Sequence, residues 1–521
     1  MLIPSIRFFR AILVATLAVS LSAVAQQAGS LPQATDQQPA TTQNEAKPES
    51  RLTPQQAKEL FRSVDEILRF ASDDTGLAEK RSVKRRLTNR DAIEKYLLTK
   101  FNDDRDAKRI ERSEVVLKKF GLLDRDFNLQ PFLISLLKEQ IAGYYDSKTR
   151  TVTLLDWIEP EQQKDVLAHE LTHALQDQRV NLKKWNNQTP ITLSKNYAED
   201  NRHLSMDEED DTREAVLEGQ AMAVLVDYSL KPQGKSLMTA PDMVATMKDQ
   251  MGDTADSPVM ARAPLLLQQS LVFPYREGLG FIQQLLIDHG KQAAFAGVLD
   301  NPPSTSWEIL NPAEFEAGNK PPQLKIPDIH PLLSTNYAPY DIGAVGQLDL
   351  RILATLYGGE EASKRLTPQW DGGYYYAAQI ESEAAKKLPS SSTGTIATLY
   401  ISAWKSERAA QNFAAIYADN IARKYSSVRP DEKESTNDET VWQTAEGPVM
   451  IVVRGKQVFI SESFDLDTAR KMELVTMGGE ASGDTKVTML VIPQDDLSGS
   501  LIKLFAHAGI MRVALPRSLV K

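Results

Sequence analysis

A chain of 521 residues without one cysteine has to hold its fold by buried core alone. Disulfide frameworks, iron–sulfur clusters, cysteine nucleophiles, thiolate zinc sites and an acylated lipoprotein cysteine are excluded together. Any metal site must then be built from His, Asp and Glu, and there are only six histidines to place. The hydrophobic fraction of 42% and charged fraction of 25% are those of an ordinary globular protein. The length supports two or three domains. A net charge of −10 argues against nucleic-acid binding, which needs a basic footprint.

The amino terminus reads as a signal peptide. Arg7 and Arg10 precede an apolar run over 11–24, and Ala23-Val24-Ala25 supplies a small-x-small cleavage pattern. The run is shorter than the roughly 20 apolar residues that span a bilayer. Cleavage after Ala25 is therefore expected, giving a secreted or periplasmic protein with no membrane span. Residues 26–52 lack apolar periodicity and read as a disordered linker. Order is expected from Thr53, an N-cap followed by Pro54 and closed as a capping box by Gln56. Leu60, Phe61, Val64, Ile67, Leu68 and Ala71 share one helical face. Further helical patterns cover about 91–101, 104–120 and 130–142, so the front of the chain reads as all-helical. Gly143–Asp146 and Arg150–Leu155 then read as two short strands around a Ser-Lys-Thr turn, before a helix start at Glu159-Pro160.

That helix carries His169-Glu170-Leu171-Thr172-His173. Residues four apart project from the same side of a helix, so both imidazoles can reach one cation. Glu170 lies beside it, able to take a proton from a bound water. Chance alone would place this pattern in about five of a thousand chains with this composition. A catalytic zinc site takes three protein ligands and leaves one position for water. No His lies six residues beyond His173, where Arg179 stands, so the third ligand must come from elsewhere. The pattern from Thr212 to Tyr228 offers Glu214 and Glu218 one turn apart on an otherwise apolar helix. Buried acids need a partner, and the one that is not a ligand is expected to face solvent.

HELTHALQD (169–177) is similar to the active-site helix of the thermolysin-type peptidases, and Glu218-Gly219-Gln220-Ala221 resembles the ligand helix of the aminopeptidase-type gluzincins. The chain thus resembles the gluzincin zinc metallopeptidases. HELTHALQDQ with Pro302-Pro303-Ser304-Thr305 is similar to a secreted bacterial branch of such proteins, whose pattern tends to have His where this chain has Asn311. The spacing from His173 to Glu218 exceeds that of either relative, which implies an insertion. The resemblance implies Zn²⁺ held by His169, His173 and a glutamate. Glu218 is that ligand by the Glu-Gly-x-Ala alignment, favoured by Gly219 and Ala221. Glu214 is the ligand by the thermolysin-type alignment. Glu170 would be the general base. Tyr275, in Tyr-Arg-Glu-Gly, resembles the tyrosine that stabilises the oxyanion, although a core or turn tyrosine reads equally well. It is expected at a helix start, fixed by Pro274 at the cleft rim. The strand ending near Leu155 would form the sheet edge that pairs with an extended peptide.

Three further features are read plainly. Asp207–Asp211 lacks the spacing of a calcium loop and is expected as a solvated loop. His330 is the one remaining histidine held as a substrate-facing donor. Beyond about residue 364 the texture becomes strand-like, with strands over Thr395–Trp404, Val449–Arg454 and Gln457–Ser463, and helices over Ser406–Lys424 and Asp465–Met472.

The expected architecture is α+β: a mainly helical zincin-like domain over 53–363, with a small edge sheet, followed by a smaller α+β domain over 364–521. The expected function is peptide-bond hydrolysis on peptide or protein substrates. The alternative is a non-catalytic cell-envelope protein that retains a structural zinc.

Overall fold

The computed structural model describes residues 51–101, 104–185, 196–251, 254, 257–321 and 323–478. The expected signal peptide and all but the last two residues of the linker lie outside these, as does 479–521. Order begins where the sequence places it. Helix α1 (Pro54–Thr75) is closed by a capping box in which Thr53 Oγ1 accepts from the Gln56 amide at 3.2 Å and Gln56 Oε1 from the Thr53 amide at 2.9 Å. It buries Leu60, Val64, Ile67, Leu68 and Ala71 and ends at Gly76, whose φ of 71° few other residues adopt.

The front part is not all-helical. A strand, β1 (Lys84–Thr88), precedes α2 (Arg90–Phe101), α3 (Asp104–Lys119) and α4 (Leu129–Gln140). Then come β2 (Gly143–Asp146) and β3 (Thr151–Leu155). The sheet order is β1-β3-β2, with β1 parallel and β2 antiparallel to β3. The strand ending at Leu155 is therefore central, not an edge. Its five residues are all buried because strands flank it on both sides, and β2 is the edge nearest the HELTH helix.

That helix, α5, runs Pro160–Val180. Helix α6 (Tyr197–Met206), α7 (Glu209–Leu230), α8 (Asp242–Gln250) and α9 (Leu265–Gln292) follow. Val166 to Gln178 of α5 and Glu214 to Val226 of α7 are buried without a break. Helices enclosed on every side have no solvent stripe, and these two form the centre of the molecule with α9 against them. Pro274 and Tyr275 lie inside α9 rather than at a helix start. The acidic run is also corrected. Asp207, Asp210 and Asp211 are buried; Asp207 Oδ2 accepts from the Ala344 amide at 2.9 Å, and Glu208 Oε1 accepts from the Ser306 amide at 3.1 Å. Acids at the start of a long helix also face the positive end of its dipole.

The second sheet has seven strands in the order β4-β5-β6-β10-β9-β8-β7. They are β4 (Tyr337–Ala344), β5 (Trp370–Ile380), β6 (Ile396–Trp404), β7 (Val428–Pro430), β8 (Glu439–Thr444), β9 (Gly447–Arg454) and β10 (Gln457–Glu462). Helix α10 (Gln347–Leu366) joins β4 to β5, α11 (Glu407–Asp419) follows β6, and α12 (Leu466–Met477) follows β10. The sheet thus begins ahead of the expected boundary at 363/364, since β4 pairs along β5. One continuous core reaches from Leu60 to Ile460, so one face of the sheet is packed into the helical body. A second cluster, including Ile326, Tyr374, Phe459 and Met472, fills the other face.

A buried polar knot ties the two parts. Lys119, at the end of α3 and wholly buried, donates to Ser463 Oγ at 2.6 Å, Glu446 Oε2 at 2.9 Å and the Thr393 carbonyl at 3.3 Å. All three ammonium donors are used, as a buried lysine requires. Beside it Lys424 pairs with Glu462, whose carboxylate also accepts from Tyr417 and Tyr425. No helix among the described residues is long and apolar enough to cross a membrane.

Candidate metal centre

Helix α5 presents His169 and His173 one turn apart, and α7 crosses it so that Glu218 faces both. His169 Nε2 lies 3.0 Å and His173 Nε2 3.4 Å from Glu218 Oε2, and the two Nε2 atoms are 3.1 Å apart. A tetrahedral zinc with ligands at about 2.0–2.1 Å spaces them about 3.3 Å apart. The three atoms therefore fit one small cation, and no other group of three such side chains gathers among the described residues. Glu214, one turn earlier on α7, is outside this group. It does not face solvent as expected of the second acid: it is 2% exposed.

Glu170 is held from the neighbouring strand. The Tyr145 amide on β2 donates to Glu170 Oε2 at 2.7 Å, while Tyr145 Oη donates to Asp177 Oδ2 at 3.1 Å. One tyrosine thus clamps the edge strand to α5 at two points. Glu170 Oε1 is buried and has no hydrogen-bond partner among the described residues. Burial, reinforced by the Glu218 charge, pushes the Glu170 carboxyl up to about 7, against the pull of His173 and the Tyr145 amide. That places it where a proton can be taken and returned near neutral pH.

The three side chains share charge unevenly. Burial lowers His169. Burial acts against a charged His173 as well, but the Glu218 carboxylate outweighs it and raises the ring. Glu218 is correspondingly held low: burial opposes its ionisation, and His173 and His169 overcome it. Proximity to Glu218 thus favours a proton on His173, and a divalent cation would compete with that proton for the same atoms.

Tyr275 is brought to the site from α9. Its ring stacks on that of His169, centroids 6.2 Å apart and planes inclined by 23°. The stack depends on close helix approach, since Gly219 of α7, next to Glu218, meets Gly278 of α9, three residues beyond Tyr275. His169, Glu170, His173, Glu218 and Tyr275 are 0%, 1%, 5%, 3% and 0% exposed, so this is an interior site rather than an open rim. His330 is not part of it. It lies 3.2 Å from Asp328 and 3.6 Å from Asp200, beside Tyr376 of β5. Asn311 bridges the Trp307 carbonyl at 2.7 Å and Gln347 at 2.9 Å, a structural post between two helices.

The chain matches no protein-family model, no curated protein and no solved structure.

Several residues at the centre went unread in the sequence. Tyr145 stands in a strand outside any motif, and although Gln176 and Asp177 lie within HELTHALQD and Gln220 within Glu-Gly-Gln-Ala, no role is read for them there. The available hint for the glutamines was position: Gln176 is one turn beyond His173, and Gln220 is a polar residue on an otherwise apolar helix, two places after Glu218.

Proposed function

We propose that this protein is an exported zinc metallopeptidase of the gluzincin type, acting on peptide or protein substrates. The observation that carries the reading is the convergence of His169, His173 and Glu218 beside a glutamate whose one oxygen is fixed by a strand amide and whose other has no hydrogen-bond partner among the described residues. Zinc held by these three ligands would polarise a substrate carbonyl and acidify water. The chain's own contribution is then positional. Glu170 Oε1 accepts the proton of the attacking water and passes it to the leaving nitrogen, while the Tyr145 amide keeps the carboxylate from swinging toward Glu218. Tyr275, stacked on His169, supplies a phenol beside the ligand set for the oxygen that gains charge.

One observation favours a second reading, a non-catalytic envelope protein with a structural metal: every residue of the centre is at most 5% exposed. Structural zinc sites, however, take four protein ligands, and only three gather here among the described residues. Metal analysis combined with peptide-library cleavage separates the two, comparing wild type with Glu170→Gln. Cleavage by the wild type alone, at equal metal content, supports the peptidase. Tight zinc binding with no cleavage by either supports the structural site.

A further inference from the structure

The HELTH helix and the Glu-Gly-Gln-Ala helix are joined by more than a metal. Behind His173, away from Glu218, two buried glutamines form a chain that ends on the backbone. Gln220 Nε2 donates to the carbonyls of Ala294 and Phe295, at 2.8 and 3.0 Å, within the single π-turn Ala293–Gly297 that follows α9. Carbonyls only accept, so the nitrogen of Gln220 must face them and its oxygen must face the other way. That oxygen accepts from Gln176 Nε2 at 2.9 Å, and the second hydrogen of Gln176 Nε2 goes to the Leu217 carbonyl at 3.0 Å. Both donors of Gln176 are then used, and its Oε1 is left against His173 Nδ1 at 2.8 Å. An oxygen there can only accept. His173 Nδ1 must therefore carry hydrogen, and in the neutral ring the lone pair then lies on Nε2, the atom that faces His169 and Glu218.

We infer that Gln176 and Gln220 are positioning residues that set the ring orientation and the protonated nitrogen of His173, and that the π-turn carbonyls of Ala294 and Phe295 are the fixed end of this relay. The inference rests on the metal-site reading above for its consequence but not for its geometry. Each amide in the chain has one allowed orientation, because its nitrogen abuts a backbone carbonyl, which can only accept. Gln176 and Gln220 are fully enclosed, both 0% exposed, so no solvent competes for these bonds. Second-layer partners of ligating histidines generally contribute 10–100-fold to metal affinity by holding tautomer and direction. In this chain the task falls to a neutral amide whose own direction is dictated by a helix irregularity on a different element. The relay also explains why a glutamine stands between Gly219 and Ala221, a stretch otherwise made of small residues for close packing.

The test uses the full chain and two readouts. In the metal-free protein, a slowly exchanging Nδ1 proton of His173 should be visible by NMR, and should disappear in Gln176→Leu. Its absence from the wild type would overturn the relay, whatever the metal content. Zinc affinity by chelator competition should fall 10–100-fold in Gln176→Leu. It should also fall in Gln220→Leu, which touches no ligand. The double variant should lose no more than Gln176→Leu alone, because both act through one chain of bonds. Additive losses that track a fall in metal-free Tm would assign the glutamines to packing and defeat the proposal. Wild-type protein that shows the Nδ1 proton but takes up no zinc would leave the relay standing and remove the metallopeptidase reading instead.

Discussion

Gly219 and Gly278 allow two helices to touch backbone to backbone. A Cβ on Gly219 would lie 2.3 Å from the Gly278 carbonyl oxygen, and one on Gly278 would lie 2.2 Å from that of Ala215. No real Cβ survives such distances against main chain, so even alanine at either position must push α7 and α9 apart. Since α7 holds Glu218 and α9 holds Tyr275, the same contact sets the acid and the phenol against His169.

Gly219→Ala or Gly278→Ala should therefore destabilise by about 1–3 kcal/mol, the usual cost of overpacking a filled core. Thermal unfolding measures it. Zinc affinity should fall as well in Gly219→Ala, because Glu218 is the adjacent residue. A variant with wild-type Tm would mean that the helices have slack the structure does not show.

The ligand set gives an ordered prediction. His169→Ala, His173→Ala and Glu218→Gln should each strip the metal, since two ligands hold zinc weakly. Glu170→Gln should keep the metal and lose turnover. Glu214→Gln should retain more zinc than Glu218→Gln. Metal content after dialysis checks the series, and the reverse order for the two glutamates would move the third ligand to Glu214.

Tyr275→Phe separates chemistry from packing. As an oxyanion donor the phenol is worth about 3–4 kcal/mol, so kcat should drop by about 10²–10³-fold with zinc content and Tm kept. Loss of Tm with turnover per folded molecule unchanged would make Tyr275 a core residue that merely stacks on His169.

A pH effect on stability follows from Glu277, two residues beyond Tyr275. Burial opposes its ionisation, but Arg351 at 3.0 Å and Lys248 at 2.7 Å prevail, and its carboxyl sits below the ordinary glutamate value. A depressed folded pKa stabilises fully above the unfolded pKa, and the gain is lost as the pH falls through the folded one. Arg351 and Lys248 are partly open to solvent, which limits the effect to about 1–2 kcal/mol. Glu277→Gln should thus lower Tm at pH 7, and the gap should narrow below about pH 4. A gap that is constant across this range would exclude charge as its source.

What the sequence disclosed, and what it did not, divides along physical lines. The start of α1 and the HELTH helix were legible because capping boxes and i,i+4 pairs are local. The hairpin of β9 and β10 was legible for the same reason, with Gly455-Lys456 at its turn. β1 was missed because Lys84-Arg85-Arg86-Leu87-Thr88 looks like a solvated run, and its partner β3 lies far along the chain. β4 was missed because Pro339 and Gly343 weaken the strand signal, and a bulge between Pro339 and Asp341 breaks its alternation. Pro274 misled by the usual rule that proline begins a helix. Here the helix continues through it, because the burial of Phe273, Tyr275, Gly278 and Leu279 outweighs one lost backbone bond. The acidic run misled in the opposite way: Asp207 and Glu208 accept from the amides of Ala344 and Ser306, far along the chain and outside any local window of sequence.

The buried knot around Lys119 bears on how this protein comes apart. Its three hydrogen bonds cross from the end of α3 to Thr393, Glu446 and Ser463, which flank the ends of strands β6, β8, β9 and β10, and nearby Phe120 packs edge-on against Tyr375 and Tyr400. Neither part can leave the other without stranding a charge and baring aromatic surface. The two should melt together, as one calorimetric transition, and limited proteolysis should find no cut near residue 363 that releases a folded amino-terminal piece. Lys119 makes the carboxy-terminal sheet a wall of the same body that holds the candidate metal centre rather than an appendage to it.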